Sequence, residues 1–320
     1  MKVEKISFKN YSENLPLFKN VSAFNSTEWL ALNKKNTEFF SVMDKGNKVA
    51  AMFFLFSSRT MKILNLKCPP FTQHCGLIFN TLPGNRYANN KFIKEITSAI
   101  CDCLEESRMS VRSVSFPHTL NDMQCFYWKN YKVIPQYTYI IPLLPGWNEI
   151  MGNMSPEKKN VFEKAKGEQL DCRLTTDYKI VKDLVIKSYE RKNMKIDTES
   201  IDKILFDFAS DKNSFAYVTY FKNKPSAAAF CIHNGCTAYY LLGGYDPEYK
   251  HNSSGVLAVL NCIRNSKEMG FEFFDFEGSM LPEVEKYFRG FGGELVPYFM
   301  VNKAPVLMEM GLKSMKRTRF

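Results

Sequence analysis

Two carboxylates two positions apart, Asp275 and Glu277 in the run Phe271-Glu-Phe-Phe-Asp-Phe-Glu-Gly278, are the residues of this chain best suited to exchange protons. Side chains repeat every second residue on a strand, so both would lie on one face at its end. Upstream, His251-Asn-Ser-Ser-Gly255 is a short polar turn that runs straight into an apolar, helix-forming stretch. The first amides of a helix have no intrahelical acceptor, so Asn252, Ser253, Ser254 and Gly255 are read as a cradle for an anion such as a phosphate. An anion cradle beside paired carboxylates is the equipment of a group-transfer site. Tyr245, Tyr249 and His251 flank the turn and are read as shaping the entrance for an acceptor. The competing reading of either carboxylate is a helix cap or an ion pair with Arg289.

Composition sets bounds on that chemistry. At 320 residues the chain is long enough for two domains with separate cores. An apolar fraction of 45% with 24% charged residues is that of a soluble globular protein. No apolar run reaches the roughly 18 residues of a membrane span, and the opening Met-Lys-Val-Glu-Lys lacks the apolar core of a secretory signal. The expectation is a cytoplasmic protein. Nine scattered cysteines with no Cys-x-x-Cys point to reduced thiols. Cys68, Cys75 and His74 lack a second pair to complete a zinc site, so no metal is expected. The net charge of +10 favours polyanionic partners: cofactor phosphates, tRNA, nucleotide sugars or an anionic membrane surface. A merely solvated basic surface is the alternative. Lys313, Lys316, Arg317 and Arg319 follow Met308, Met310, Leu312 and Met315, the composition of a peripheral contact at the inner face of a membrane or of a terminal helix packed on its own domain.

Periodicity supplies the elements that must position these groups. The first half reads as a strand over Val3 to Phe8, brief helices at Leu15 to Lys19 and Ser26 to Asn33, and a hairpin of Glu38 to Met43 with Val49 to Phe56. A strand at Lys62 to Lys67, a long loop from Cys68 to Asn85 and a helix from Asn90 to Glu106 follow. Val111 to Phe116 is a strand, His118 to Asn130 a helix and Val133 to Pro142 a strand. The second half repeats the plan. A basic helix from Glu157 to Lys166, expected to be solvated, precedes a strand at Leu170 to Thr175. Helices at Tyr178 to Arg191 and Ser200 to Ala209 lead to a hairpin of Ser214 to Phe221 with Ser226 to His233. The strand Cys236 to Leu242, the helix Ser254 to Met269, the strand Phe271 to Glu277, a helix opened by Pro282 and ended by Gly292 and Gly293, and the strand Glu294 to Val301 complete it.

The halves also match residue by residue. Phe39-Phe-Ser-Val42 parallels Phe215-Ala-Tyr-Val218, and Phe116 and Trp128 stand as far apart as Phe276 and Phe288. Trp128-Lys-Asn-Tyr131 with Val133-Ile-Pro135 parallels Phe288-Arg-Gly-Phe291 with Leu295-Val-Pro297. Three matches in one order indicate duplication. The turn-rich segment from Pro142 to Ser155 sets the expected boundary, with domains over 1–145 and 146–320.

At this point the chain resembles the GNAT superfamily of N-acyltransferases, and more closely the tandem-GNAT proteins that include Fem-type peptidoglycan ligases and BioF2-like acetyltransferases. The resemblance spans nearly the whole chain. It rests most on Gly243-Gly-Tyr-Asp246, Asp275-Phe-Glu-Gly-Ser279 and Tyr287-Phe-Arg-Gly-Phe-Gly-Gly293. It implies an α+β fold of two tandem domains, each a mixed, mainly antiparallel central sheet flanked by helices. It also implies acetyl-coenzyme A or another acyl-coenzyme A as co-substrate. In that family a Q/R-x-x-G-x-G/A turn binds the cofactor pyrophosphate; here His251-Asn-Ser-Ser-Gly255-Val-Leu-Ala258 keeps one glycine and lacks the leading Arg or Gln. The family splays two strands to admit the pantetheine arm, which implies donor contacts at Leu242, Gly243 and Gly244. Tyr287 stands near the family's tyrosine acid. Arg289 stands where Fem-type proteins often carry a Lys after a Phe, which implies a substrate contact. The basic stretch Lys159-Asn-Val-Phe-Glu-Lys-Ala165 resembles theirs loosely.

In the first copy, the loop from Pro69 to Gly84 replaces the short cradle. Long loops in compact domains tend to be functional, so this copy is read as having lost donor binding, with Phe71, Gln73 and His74 lining an acceptor cleft. The expected activity is acylation, from acetyl-coenzyme A, of an amino group on a cell-surface polysaccharide or cell-wall precursor, an acceptor that is a small or lipid-linked sugar or peptide amine. Asp275 and Glu277 are the candidate bases and Tyr287 the acid. The alternatives are a Fem-type ligase using aminoacyl-tRNA, and an inactive pseudo-transferase that binds a glycan or protein.

Overall fold

The computed structural model describes every residue except 20, 61–62, 81–84, 169, 192–194, 250, 279 and 316–320. Two compact units emerge: 1–136 with 297–320, and 137–296. In chain order, the first comprises strand β1 (Lys2–Ile6), helix α1 (Phe8–Asn14), α2 (Thr27–Ala31), β2 (Thr37–Met43), β3 (Val49–Thr60), β4 (Ile63–Lys67), β5 (Ile78–Phe79), α3 (Arg86–Glu106), β6 (Val111–Ser115) and α4 (Gln124–Trp128). Strand β7 (Lys132–Pro142) then leads into the second unit. There α5 (Trp147–Gly152), α6 (Pro156–Lys159), α7 (Val161–Gly167), β8 (Leu170–Thr175), α8 (Tyr178–Arg191) and α9 (Thr198–Asp202) precede β9 (Ser214–Phe221), β10 (Lys224–Asn234) and β11 (Thr237–Tyr245). Helix α10 (Ser254–Glu268), β12 (Phe273–Asp275), α11 (Pro282–Arg289) and β13 (Glu294–Lys303) follow, and α12 (Val306–Met315) ends the described chain.

The fold is α+β, a mixed, mainly antiparallel sheet with flanking helices. In the second unit the order is β7-β12-β11-β10-β9-β8, and in the first β13-β6-β4-β3-β2-β1. The two orders correspond strand for strand. Each contains one parallel pair, β11 with β12 and β4 with β6, joined through a helix that packs an apolar face inward, α10 or α3. The strand next to β12 is β7, which closes the first copy in sequence, and the strand next to β6 is β13, which closes the second. This exchange of closing strands is why the compact units depart from the expected division at 145/146. Residues 137–145 belong with the second unit and 297–320 with the first.

Local chemistry accounts for most elements. Asp177 Oδ1 accepts from the amide of Lys179 at 3.2 Å and starts α8, while Gly270, at φ +85°, stops the turn after α10. Lys222 and Asn223, at φ 50° and 60°, make the two-residue hairpin turn between β9 and β10. Elsewhere tertiary context differs from the periodicity. Ser7 caps α1 through the amide of Asn10, so helix begins where a strand was expected to continue. The expected helix His118 to Asn130 is only α4, because Pro117 and Asp122 hold turns before it. The expected helix Glu157 to Lys166 breaks at Asn160 into α6 and α7. Lys158 on α6 is buried rather than solvated. The C-terminal basic residues Lys316, Arg317 and Arg319 lie outside the described residues, as does Gly84 at the end of the first copy's loop.

The two parallel pairs end differently. In the first unit the backbone of Cys75 receives the amide of Phe54 at 2.9 Å and donates to Ser115 O at 2.8 Å, and β5 pairs with Ala51 and Met52 of β3. The loop after β4 thus closes the gap beyond the paired residues, with Cys75, Leu77 and His74 buried. Gly76 is required there: at φ +61°, a Cβ would sit 2.0 Å from the Phe54 ring. In the second unit the corresponding gap stays open.

Candidate active site

Strand β11 pairs with β10 over its whole length but with β12 only from Thr237 to Tyr239. Beyond Tyr239 the two parallel strands part, and a pocket of about 610 Å³ opens between them. Tyr240, Gly243 and Gly244 line one side and Phe276 and Glu277 the other. Asn252, Gly255 and Val256 at the start of α10, Tyr287 and Phe288 on α11, and Ser188 and Tyr189 on α8 complete the walls.

The parting has a local cause at the end of β12. Asp275 is 1% exposed; its Oδ1 accepts from the Thr138 hydroxyl at 2.5 Å and from the amide of Glu277 at 2.7 Å. That second bond bends the chain, and Glu277 takes the left-handed φ of +67°. Such a backbone is uncommon for a residue with a side chain and clusters at functional sites. Asp275 and Glu277 therefore do not share a strand face as the two-residue period implied. Asp275 is held inside as a positioning group, and Glu277 alone of the two lines the pocket. Burial and the adjacent Asp275 push the Glu277 pKa well above the ordinary carboxylate value.

The floor is aromatic. Phe276 stacks on Phe288 with centroids 4.5 Å apart, and Tyr240 meets Phe288 edge-on at 5.7 Å. Each buried phenylalanine contributes about 1.5–3 kcal/mol, so packing fixes the shape of this wall. Gly243 and Gly244 lie within β11, not at its end. A Cβ on Gly243 would meet the Tyr240 hydroxyl at 1.7 Å, and one on Gly244 the Leu184 carbonyl of α8 at 2.3 Å. The glycine pair thus makes room for Tyr240 and for close approach of α8.

The turn before α10 is braced from within. His251 Nδ1 accepts from the amide of Ser253 at 3.2 Å, and the Ser254 hydroxyl bonds that of Ser226 at 2.8 Å. Ser253 and Ser254 are buried and do not line the pocket, so they hold the cradle instead of touching a ligand. Gly255 and Val256 do line it, and neither amide has an acceptor among the described residues. This is the unpaired N-terminal turn of a 15-residue helix, aligned to attract negative charge. No Lys or Arg is among the described residues lining the pocket. The phosphates of a coenzyme would be held here by amides and the helix dipole. A tyrosine stands beside them: a Cβ on Gly255 would lie 3.5 Å from the Tyr287 hydroxyl. Burial raises the pKa of that phenol.

The remaining expected contacts lie elsewhere. Tyr245 and His251 line the pocket, whereas Tyr249 does not; its carbonyl accepts from the Ser226 hydroxyl. Leu242 is buried in the sheet opposite Phe230. Arg289 is exposed on α11, its Nε 3.4 Å from Glu285, whose carboxylate also accepts from the Tyr139 hydroxyl at 2.7 Å; it is not a pocket residue. Phe71, Gln73 and His74 belong to the first unit and are not among the described residues lining the pocket. His74 is packed edge-on to Phe24, accepts the Gly76 amide on Nδ1, and has its pKa lowered to about 3 by burial, so it is a neutral core residue. Periodicity did not single out Tyr189, Tyr240, Phe276 or Glu283, all pocket residues. Among the described residues no three His, Cys, Asp or Glu side chains gather to hold a metal ion, and no helix is long and apolar enough to cross a membrane.

Known proteins share this fold. Residues 183–289 match the family described as an acetyltransferase (GNAT) domain, and every described pocket residue falls inside that span. No curated protein matches the sequence. Among solved structures the chain is similar to FemX, with a TM-score of 0.70 at 10% identity over 99% of this chain and 100% of that one. It is also similar to the C-terminal domain of a putative lysylphosphatidylglycerol synthetase from Agrobacterium fabrum (TM-score 0.57, 9% identity, 96% of each chain). A third is a tandem GNAT protein from the clavulanic acid biosynthesis pathway (TM-score 0.53, 9% identity, 94% of this chain and 97% of that one). At these identities the likeness is one of fold.

Proposed function

We propose that this chain is an N-acyltransferase that takes an acyl group, acetyl in the first instance, from coenzyme A and places it on an amine. The observation that carries this reading is the gap between β11 and β12, which joins a helix N-terminus with unpaired amides, a phenol and a carboxylate in one pocket. Gly255 and Val256 receive the donor's phosphates, and the gap admits the thioester. Glu277 takes a proton from the acceptor ammonium, and its raised proton affinity suits it to that task. The free amine attacks the thioester carbonyl, the C–N bond forms, the attacking nitrogen releases its second proton to water, the C–S bond breaks, and Tyr287 gives its proton to the departing thiolate. Glu283 is a second carboxylate lining the pocket, which suits it to an amine. The acceptor class we favour is an amino group on a cell-surface polysaccharide or cell-wall precursor, handled at the inner face of the membrane. Calorimetry with acetyl-coenzyme A, followed by acetyl transfer to a panel of amino sugars and peptides, tests it. Absence of binding at millimolar ligand would refute the coenzyme reading.

A Fem-type reading, with an aminoacyl-tRNA donor, is favoured by the whole-chain likeness to FemX and the net charge of +10. It requires tRNA binding that weakens steeply with salt; salt-insensitive or absent binding rejects it. An inactive pseudo-transferase that binds a glycan or protein would show neither transfer.

A further inference from the structure

A lysine lies beside the proposed acid. Lys158 on α6 is 5% exposed, and its ammonium stands 4.0 Å from the centroid of the Tyr287 ring and 4.7 Å from that of Phe291. No carboxylate or hydrogen-bond acceptor meets the ammonium among the described residues, so the two aromatic faces are what hold it. Burying a cation without a counter-charge is costly, and here burial lowers the lysine pKa to about 8. The site is built for this side chain. Ser155 Oγ accepts from the Lys158 amide, and Gly290 leaves space that a Cβ would take, 3.1 Å from Lys158 Cε. A solvated helix has no use for such an arrangement.

We propose that Lys158 is a positioning residue for Tyr287: its ammonium, seated against the phenol ring, fixes that ring beside Gly255 and stabilises the phenolate formed when Tyr287 gives up its proton. This rests on the reading of Tyr287 as the acid for the thiolate. As the C–S bond breaks, the phenol proton passes to sulfur, and the phenolate beside Lys158 recovers a proton from water when the products leave. The other groups around Tyr287 do not favour a negative phenolate: Glu157 on α6 raises its pKa, Glu283 on its own helix is a further carboxylate, and Cys262 on α10, Tyr240 on β11 and Glu277 across the pocket are pushed by burial toward their protonated forms. Lys158 is the cation against the ring that offsets them.

The test compares wild type with Lys158→Met, Lys158→Arg and Gly290→Ala. Acetyl-coenzyme A binding is measured by calorimetry, and turnover with acetyl-coenzyme A and with an acetyl thioester of an aromatic thiol. An aromatic thiolate leaves without help from an acid. Lys158→Met should bind acetyl-coenzyme A within about twofold of wild type, lose roughly tenfold to a hundredfold in kcat with it, and keep nearly full turnover of the aromatic thioester. Lys158→Arg should recover most of the loss. Gly290→Ala, which displaces Lys158 without removing its charge, should show the same selective loss, and it carries the test should Lys158→Met not fold. Equal turnover by all four proteins, or an equal loss with both thioesters, overturns the inference. A wild type that neither binds acetyl-coenzyme A nor turns over either thioester refutes the transferase reading itself, and this inference with it.

Discussion

Replacing Gly244 with Ala tests whether close approach of α8 to β11 holds the pocket open. The added Cβ would lie 2.3 Å from Leu184 O and 2.5 Å from both Leu184 C and Val185 N. Ordinary contact begins near 3.4 Å, so about 1 Å of separation must be found. All three atoms are backbone, and no side-chain rotation relieves the clash. Helix α8 must move off the sheet, loosening Val181, Leu184 and Val185, which are buried on its inner face. Overpacking of this kind costs about 1–3 kcal/mol. Ala regains about 0.5–1 kcal/mol through the smaller entropy of its unfolded state, which leaves a net loss of about 1–2 kcal/mol. With a urea m-value of roughly 1–3 kcal/mol/M, the midpoint should fall by about 0.3–2 M. Acetyl-coenzyme A affinity should fall too, since Ser188 and Tyr189 on α8 line the pocket. Gly255→Ala is the stability control: its Cβ would meet only the Tyr287 hydroxyl, at 3.5 Å, an ordinary contact, so stability should not fall and should gain up to about 1 kcal/mol. An unchanged midpoint for Gly244→Ala at unchanged m-value would refute the packing argument.

Glu277→Gln should lower kcat by about 10²–10⁴, and the wild-type rate should rise with pH as the raised Glu277 pKa is passed; equal pH profiles for the two proteins would exclude Glu277 as the base. The same residue affects stability. Its folded pKa lies above the unfolded value, so its contribution is present at low pH and lost as pH rises through the folded pKa, and Glu277→Gln should flatten that decline in urea titrations run at several pH values. Thr138→Val leaves the buried Asp275 carboxylate short of a donor and should cost about 1–3 kcal/mol in urea unfolding, with a larger proportional loss of activity as Glu277 is no longer held. Helix α12 exposes Val306, Leu307 and Met310 and is followed in sequence by Lys316, Arg317 and Arg319. Co-sedimentation with phosphatidylglycerol vesicles, absent with phosphatidylcholine and lost on Leu307→Glu, is the expected result for contact with an anionic membrane; equal recovery with both lipids would reject it.

Much of the fold was legible because it is written in local periodicity. The duplication, the paired hairpins and helix α8 follow from strand and helix spacing and from caps such as Asp177. The exchange of β7 and β13 was not legible, since no short-range signal says which of two equivalent sheets a closing strand will join. At the site, the turn before α10 could be located by its polar residues, but not divided into bracing and lining groups. Ser254 is tied inward by hydrogen bonds to Ser226 and Thr219, residues distant in sequence, and Ser253 is buried beside it. Asp275 and Glu277 were separated by one hydrogen bond, from the Glu277 amide to the Asp275 carboxylate, that bent the chain at the end of the strand and broke the two-residue period. Lys158 was the larger surprise. Its neighbours in sequence are polar, whereas the rings that bury it, Tyr287 and Phe291, lie far along the chain.

In the proposed reaction the gap between β11 and β12 takes an acyl-coenzyme A whose phosphates rest on the first turn of α10. Titration of ¹⁵N-labelled protein with acetyl-coenzyme A, followed at the Gly255 and Val256 amides, tests it most directly. Both amides should shift downfield saturably at submillimolar ligand, with Glu277 and Tyr240 also perturbed. Amides that stay in place at millimolar acetyl-coenzyme A, or shifts confined to residues outside the pocket, would contradict it.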